Sequence, residues 1–191
     1  MPPLRLLALL LALLACSAMP ALPGSAASAF SFTLTSPDLT NGATLKPPQL
    51  FNAAGCTGGN LSPALHWQNA PAKTQSYAVT VFDESAPGTG FWHWIAFDIP
   101  ASVTALPQNA GDPEAGLLPP AAIQLRNNFG TLGYAGPCPP KNDPPHRYRF
   151  TLYALGTAQL PGLDAASPVA AVTPELRLHA LATATLIAFY P

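Results

Sequence analysis

Charge is scarce in this 191-residue chain, where eight Lys and Arg stand against nine Asp and Glu for a formal net charge of −1 at pH 7. No run of like charge occurs. That excludes the clustered basic surface that replaces counterions on a nucleic acid. Cysteine is scarcer still, at Cys16, Cys56 and Cys138. None belongs to a C-x-x-C or a zinc-type pair, so a redox motif or a cysteine-based metal site is not expected. The chain also lacks G-x-S-x-G, H-E-x-x-H and a glycine-rich Walker loop. With no nucleophile nominated, no catalytic residue, metal or cofactor is expected. No internal repeat is visible.

Long hydrophobic runs are missing except at the start. Leu6 to Ala15 is an apolar stretch of ten residues behind the positively charged Met1–Arg5. A membrane-spanning helix needs roughly 20 apolar residues, so this stretch fits the h-region of a secretory signal over residues 1–29. Ala27-Ser28-Ala29 is an A-x-A site whose cleavage leaves Phe30 as the N-terminus. Leu13-Leu14-Ala15-Cys16 resembles a bacterial lipobox, and lipidation of Cys16 is the alternative. Either route delivers residues 30–191 as one domain without a transmembrane segment, periplasmic or secreted. In that oxidising compartment a Cys56–Cys138 disulfide is expected.

What is abundant is proline, at 24 residues scattered among apolar segments. That suits a loop-rich β fold. Residues 30–35, 64–68, 77–82, 91–99 and 147–155 read as strands from their alternation or continuous apolar character. A helix is expected from Pro174 to about Ala182, with Thr173 as cap, and a last strand over Thr183–Tyr190. Residues 107–122 and 133–145 read as long loops. The pattern predicts a mainly β chain, an antiparallel two-sheet sandwich with one short helix near its end.

Polar chemistry collects at strand ends. Asp83 closes one strand, Trp92-His93-Trp94 lies in the next, and His146-Arg147-Tyr148 opens a third. If these strands are neighbours, a carboxylate and two imidazoles converge beside Trp92, Trp94 and Tyr148, which would form a pocket wall. Histidine and glycine-backed N–H groups can bind a phosphate or carboxylate, and the carboxylate would hold an imidazole protonated. His66 and His179 read as structural.

Five segments in order carry a resemblance. They are Gly55-Cys56-Thr57-Gly58-Gly59-Asn60-Leu61-Ser62-Pro63-Ala64-Leu65-His66-Trp67, Asp83-Glu84-Ser85-Ala86-Pro87, Phe91-Trp92-His93-Trp94, Leu125-Arg126-Asn127-Asn128-Phe129-Gly130, and Gly133-Tyr134 through Gly136-Pro137-Cys138-Pro139-Pro140 to His146-Arg147-Tyr148. Together they resemble the phosphatidylethanolamine-binding proteins, in the bacterial branch labelled Raf kinase inhibitor-like. The resemblance implies two antiparallel sheets and one small anion-binding cavity formed by Asp83, His93, Gly136, Pro137, His146 and Tyr148. It implies a small anionic ligand, phosphate-like or a phospholipid head group. Ser85 stands where the family has a second aspartate, and Glu84 where it has proline. This departure predicts weaker discrimination for a cationic amine beside the phosphate, with anion binding retained.

The expected function is an exported small-anion binding protein. The alternative is an inhibitor or regulator of an extracytoplasmic enzyme, touching its partner through loops 107–122 or 139–145. A hydrolase ranks below both. An exported protein would not ordinarily meet a cytosolic kinase, so the kinase-inhibitor label is not carried over. Mass spectrometry of the exported protein is expected to find Phe30 at its N-terminus. A lipid on Cys16 would instead make this an anchored protein.

Overall fold

The computed structural model describes residues 31–191. The signal segment, its A-x-A site, Cys16 and Phe30 lie outside the described residues. In chain order the elements are β1 (Thr33–Thr35), β2 (Ala43–Thr44), β3 (Leu65–Gln68), β4 (Ser76–Asp83), β5 (Phe91–Pro100), β6 (Ala105–Leu106), β7 (Ile123–Gln124), β8 (His146–Leu155), α1 (Val169–His179) and β9 (Ala180–Tyr190). Two sheets form, a small one ordered β1-β3-β6 and a large one ordered β2-β9-β8-β4-β5-β7. All pairs are antiparallel except β2 with β9. Among the described residues no helix is long and apolar enough to cross a membrane.

The core follows from strand alternation, which sends successive side chains to opposite faces. Leu34, Leu65, Trp67 and Leu106 of the small sheet pack on Tyr77, Val79, Val81, Trp94, Tyr148, Phe150 and Leu152 of the large one. The opposite face of the large sheet carries a second cluster, in which Val172 and Leu176 of α1 cover Ala78, Ile95, Phe97 and Leu155. The helix therefore shields only part of that outer face.

α1 begins five residues before the position that Pro174 suggests. Pro168 occupies the N-cap and Pro174 lies inside the helix. An internal proline forfeits one backbone hydrogen bond. Burial of Val172 and Leu176 holds the first turns in place, as tertiary packing does for most short helices.

The register of β4 against β5 contains two irregularities, and the one at the cavity end is not revealed by the alternation. Val81 pairs with Trp94, and Phe82 pairs with Trp92, so His93 is an extra residue in β5. Such a bulge shifts the phase of the strand. Trp92 stays with Phe82, its ring 4.3 Å away, while Trp94 turns into the core and is fully buried.

Two loops close one end of the structure. Residues 47–61 fold on themselves through Gly58 N to Phe51 O (2.7 Å), Asn60 N to Leu50 O (2.7 Å) and Leu61 N to Pro48 O (2.8 Å). The 133–139 segment lies against them. A Cβ on Gly136 would overlap the backbone of Gln49 to Phe51, so only glycine fits. A disulfide joins Cys56 to Cys138, with Cα atoms 6.0 Å apart and a sequence separation of 82. Closing so long a loop removes much denatured-state entropy. Replacing both cysteines by alanine is expected to lower stability by about 2–5 kcal/mol, read from chemical denaturation of oxidised protein.

Candidate functional site

A cavity of about 170 Å³ opens at one end of the large sheet, lined by Asp83, Ala86, Pro87, Phe91, His93, Phe129, Cys138, Pro139, Pro140, His146 and Tyr148. Sites for drug-sized ligands occupy roughly 300–1,000 Å³. This volume therefore suits a group of a few heavy atoms. The sheet register brings its polar members together, since Asp83 sits opposite Tyr148 on β8 and opposite Phe91 on β5.

Asp83 is saturated. Its Oδ1 accepts Ser85 N–H (2.8 Å) and Ala86 N–H (3.2 Å), and its Oδ2 takes His146 Nδ1 at 2.6 Å. The first two bonds form a local turn of the kind short acidic side chains make. The third crosses 63 residues between two buried side chains. His146 Nε2 in turn lies 3.4 Å from Asp143 Oδ2, a half-exposed carboxylate on the proline loop. Both contacts are hydrogen bonds only when each ring nitrogen carries a proton.

His93 has a different environment. Its Nδ1 lies 2.7 Å from the Ala135 carbonyl oxygen, which can only accept, so Nδ1 carries the proton and Nε2 a lone pair. Burial lowers its pKa to about 4, and the Ala135 carbonyl and Asp83 carboxylate offset only part of that. At neutral pH His93 is thus uncharged.

Tyr148 is fully buried and its Oη has no hydrogen-bond partner among the described residues. Burial first, and the Asp83 carboxylate second, push its phenol well above the usual range. It remains a neutral O–H donor at the cavity. A buried hydroxyl without a partner is costly, and a ligand accepting its proton would remove that cost.

The structure gathers Asp83, His93, His146 and Tyr148 on one cavity and separates the other candidates from it. Gly136 and Pro137 stand behind the wall. Gly136 N–H is engaged by Asn60 Oδ1 (2.8 Å) and the Pro137 carbonyl by Phe51 N–H (3.1 Å). Trp92 and Trp94 do not form the wall, because the bulge at His93 sends them to the outer face and the core; Trp94 Nε1 donates to Gln124 Oε1 at 2.6 Å. The apolar wall comes instead from Phe91, Phe129 and Pro139–Pro140. Phe129 sits within the Leu125–Gly130 motif, yet nothing in that motif marks its ring as a lining residue. Asn127 positions it by accepting Phe129 N–H at 2.9 Å. Glu84 faces away and pairs with Arg147 and Arg149. His66 is exposed on β3, and His179 contacts Glu175. Among the described residues no cluster of three His, Cys, Asp or Glu is placed to hold a metal.

Residues 35–191 match a family model described as phosphatidylethanolamine-binding protein. The UPF0098 protein YbcL of Escherichia coli (strain K12) is 44% identical over 166 residues, covering 86% of this chain and 90% of YbcL. Its crystal structure superposes with a TM-score of 0.80 over 83% of this chain and 97% of that one. The UPF0098 protein YbhB of the same organism is 39% identical over 160 residues, 82% of this chain and 98% of YbhB. LppC of Mycobacterium tuberculosis (strain ATCC 25618 / H37Rv), whose name marks it as a candidate lipoprotein, is 37% identical over 150 residues, 76% of this chain and 68% of LppC.

The His93 environment predicts a pH-dependent stability. Its folded pKa is below the ordinary value of 6.5, so the unfolded chain binds the extra proton and stability falls as pH drops from 6.5 to 4. The full loss attributable to this ring is about 3 kcal/mol. Urea denaturation at pH 4.5 and 7 is expected to show a smaller pH slope in His93→Asn than in the native chain. Equal slopes would refute the neutral buried ring.

Proposed function

This chain belongs to the phosphatidylethanolamine-binding protein family, and from that premise we propose that its cavity holds a small anionic group, a phosphate or the phosphate of a lipid head group. The observation that carries this reading is the unpartnered Oη of Tyr148, buried at the cavity beside the His146–Asp83 pair. Asp83 contributes little repulsion, because three hydrogen-bond donors surround its oxygens. Tyr148 O–H and His146 Nε2 are the groups left for a ligand. His93 offers a lone pair, which suits the P–O–H of a singly protonated phosphate.

Asp143 competes with such a ligand for His146 Nε2. Binding exchanges this carboxylate for the incoming anion and frees Asp143 at the rim. A rim carboxylate from the proline loop can then meet a cationic amine, a role that Ser85 lacks the charge to play. Ser85 instead accepts Arg147 N–H at 2.9 Å.

The same reading has the protein act outside the cytoplasm, as a mature domain over residues 30–191. It is supported by the Cys56–Cys138 disulfide, the apolar N-terminal run and the name of LppC.

Calorimetric titration with inorganic phosphate and phosphoethanolamine tests the site. Tyr148→Phe is expected to weaken phosphate roughly tenfold, the loss of a hydrogen bond to a charged group, and His146→Ala to abolish binding. Asp143→Asn should strengthen phosphate roughly two- to fivefold by removing an exposed competitor. Ser85→Asp should improve phosphoethanolamine relative to phosphate. Undiminished phosphate binding in both Tyr148→Phe and His146→Ala would put the anion elsewhere and end the proposal.

A further inference from the structure

The outer face of the large sheet carries a second concavity, separate from the anion cavity. It has a volume of about 490 Å³, within the range of roughly 300–1,000 Å³ for small-molecule sites. Its position follows from strand alternation. Asp83, His93 and Tyr148 face the cavity, while their neighbours Phe82, Trp92 and Arg149 line this groove. The two sites stand back to back across one sheet.

The groove is bounded because α1 covers only the other part of this face. Its floor is a row of hydroxyls, in which Thr80 sits opposite Thr151 and Thr151 opposite Thr185. Thr183 lies beside Tyr153 in the next row. Threonine hydroxyls that bond to protein groups belong to Thr35, Thr74, Thr131 and Thr157. Among the described residues those of the groove have no such partner. One wall is the Phe82–Trp92 pair, and Tyr153 adds another ring. Two arginines reach it, Arg149 from β8 and Arg177 from the last turn of α1. No carboxylate lines the groove. Glu84 holds Arg149, while Arg177 has no ion-pair partner among the described residues.

Unpartnered hydroxyls, flat aromatic rings and the guanidinium of Arg177 form a set complementary to one ligand chemistry. A pyranose presents apolar C–H faces for an aromatic ring and equatorial hydroxyls for threonine. A carboxylate on that sugar meets a guanidinium in the bidentate geometry arginine favours. We propose that this groove binds an acidic saccharide, a pyranose chain bearing carboxylates, independently of the anion cavity.

Trp92 makes the test direct. Trp67 and Trp94 are buried, so a ligand on the groove changes chiefly the Trp92 fluorescence. The full chain is titrated with tetragalacturonate and with neutral maltotetraose, by fluorescence and calorimetry. The expected result is saturable binding of tetragalacturonate, at least fivefold tighter than maltotetraose. Arg177→Gln, an exposed helix position that the fold does not depend on, should weaken tetragalacturonate fivefold or more. Tyr153→Ala should weaken it without changing phosphate binding. Tyr148→Phe should leave it unchanged, which separates this proposal from the anion cavity. No binding by the native chain overturns the proposal, as does equal affinity for the neutral sugar. Binding that survives Arg177→Gln and Tyr153→Ala but fails in Tyr148→Phe also overturns it, by assigning the saccharide to the cavity.

Discussion

The extra residue at His93 in β5 organises both faces of the large sheet. Had β5 paired with β4 without interruption, His93 and Trp94 would point to opposite sides. The bulge lets both lie inward, Trp94 to fill the core and His93 to line the cavity. The same step leaves Trp92 outside beside Phe82. The electrostatics follow from that placement. Held against the Ala135 carbonyl and removed from water, His93 cannot carry the charge that an exposed imidazole would.

The second organising element is backbone fitted against backbone. The 133–139 segment meets the 47–61 loop where Gly136 has no room for a side chain, and the disulfide closes the same contact. Groups that a ligand could have used, Gly136 N–H and the Pro137 carbonyl, hold this contact together. The cavity thereby gains a rigid wall. The chemistry that remains is concentrated on His146 and Tyr148.

Much of the framework is legible in the sequence because its signals are local. Apolar runs at 77–82, 91–99 and 147–155 mark strands that the structure extends by one or two residues. Asp83, His93, His146 and Tyr148 can be grouped because each lies at or near the end of such a run. What escapes is nonlocal. The phase change at His93 depends on its pairing with β4, so the tryptophans are assigned to the wrong side. The start of α1 depends on a cluster with Ala78, Ile95 and Phe97, and Pro174 alone points to a later boundary. Phe129 and Asp143 reach the site from loops whose course no periodicity records. The three two-residue strands are too short to leave a pattern.

β8 alternates His146, Arg147, Tyr148 and Arg149, and so gives imidazole and phenol to one side and guanidinium groups to the other. A shift of one residue would bury two arginines in the core and strip the cavity of its donors. Misregistered pairing is thereby penalised on both faces at once, by an unpaired buried charge and by a void. The strand that equips the site is also a proofreading device for assembly, and a chain able to bind its ligand has already passed that check.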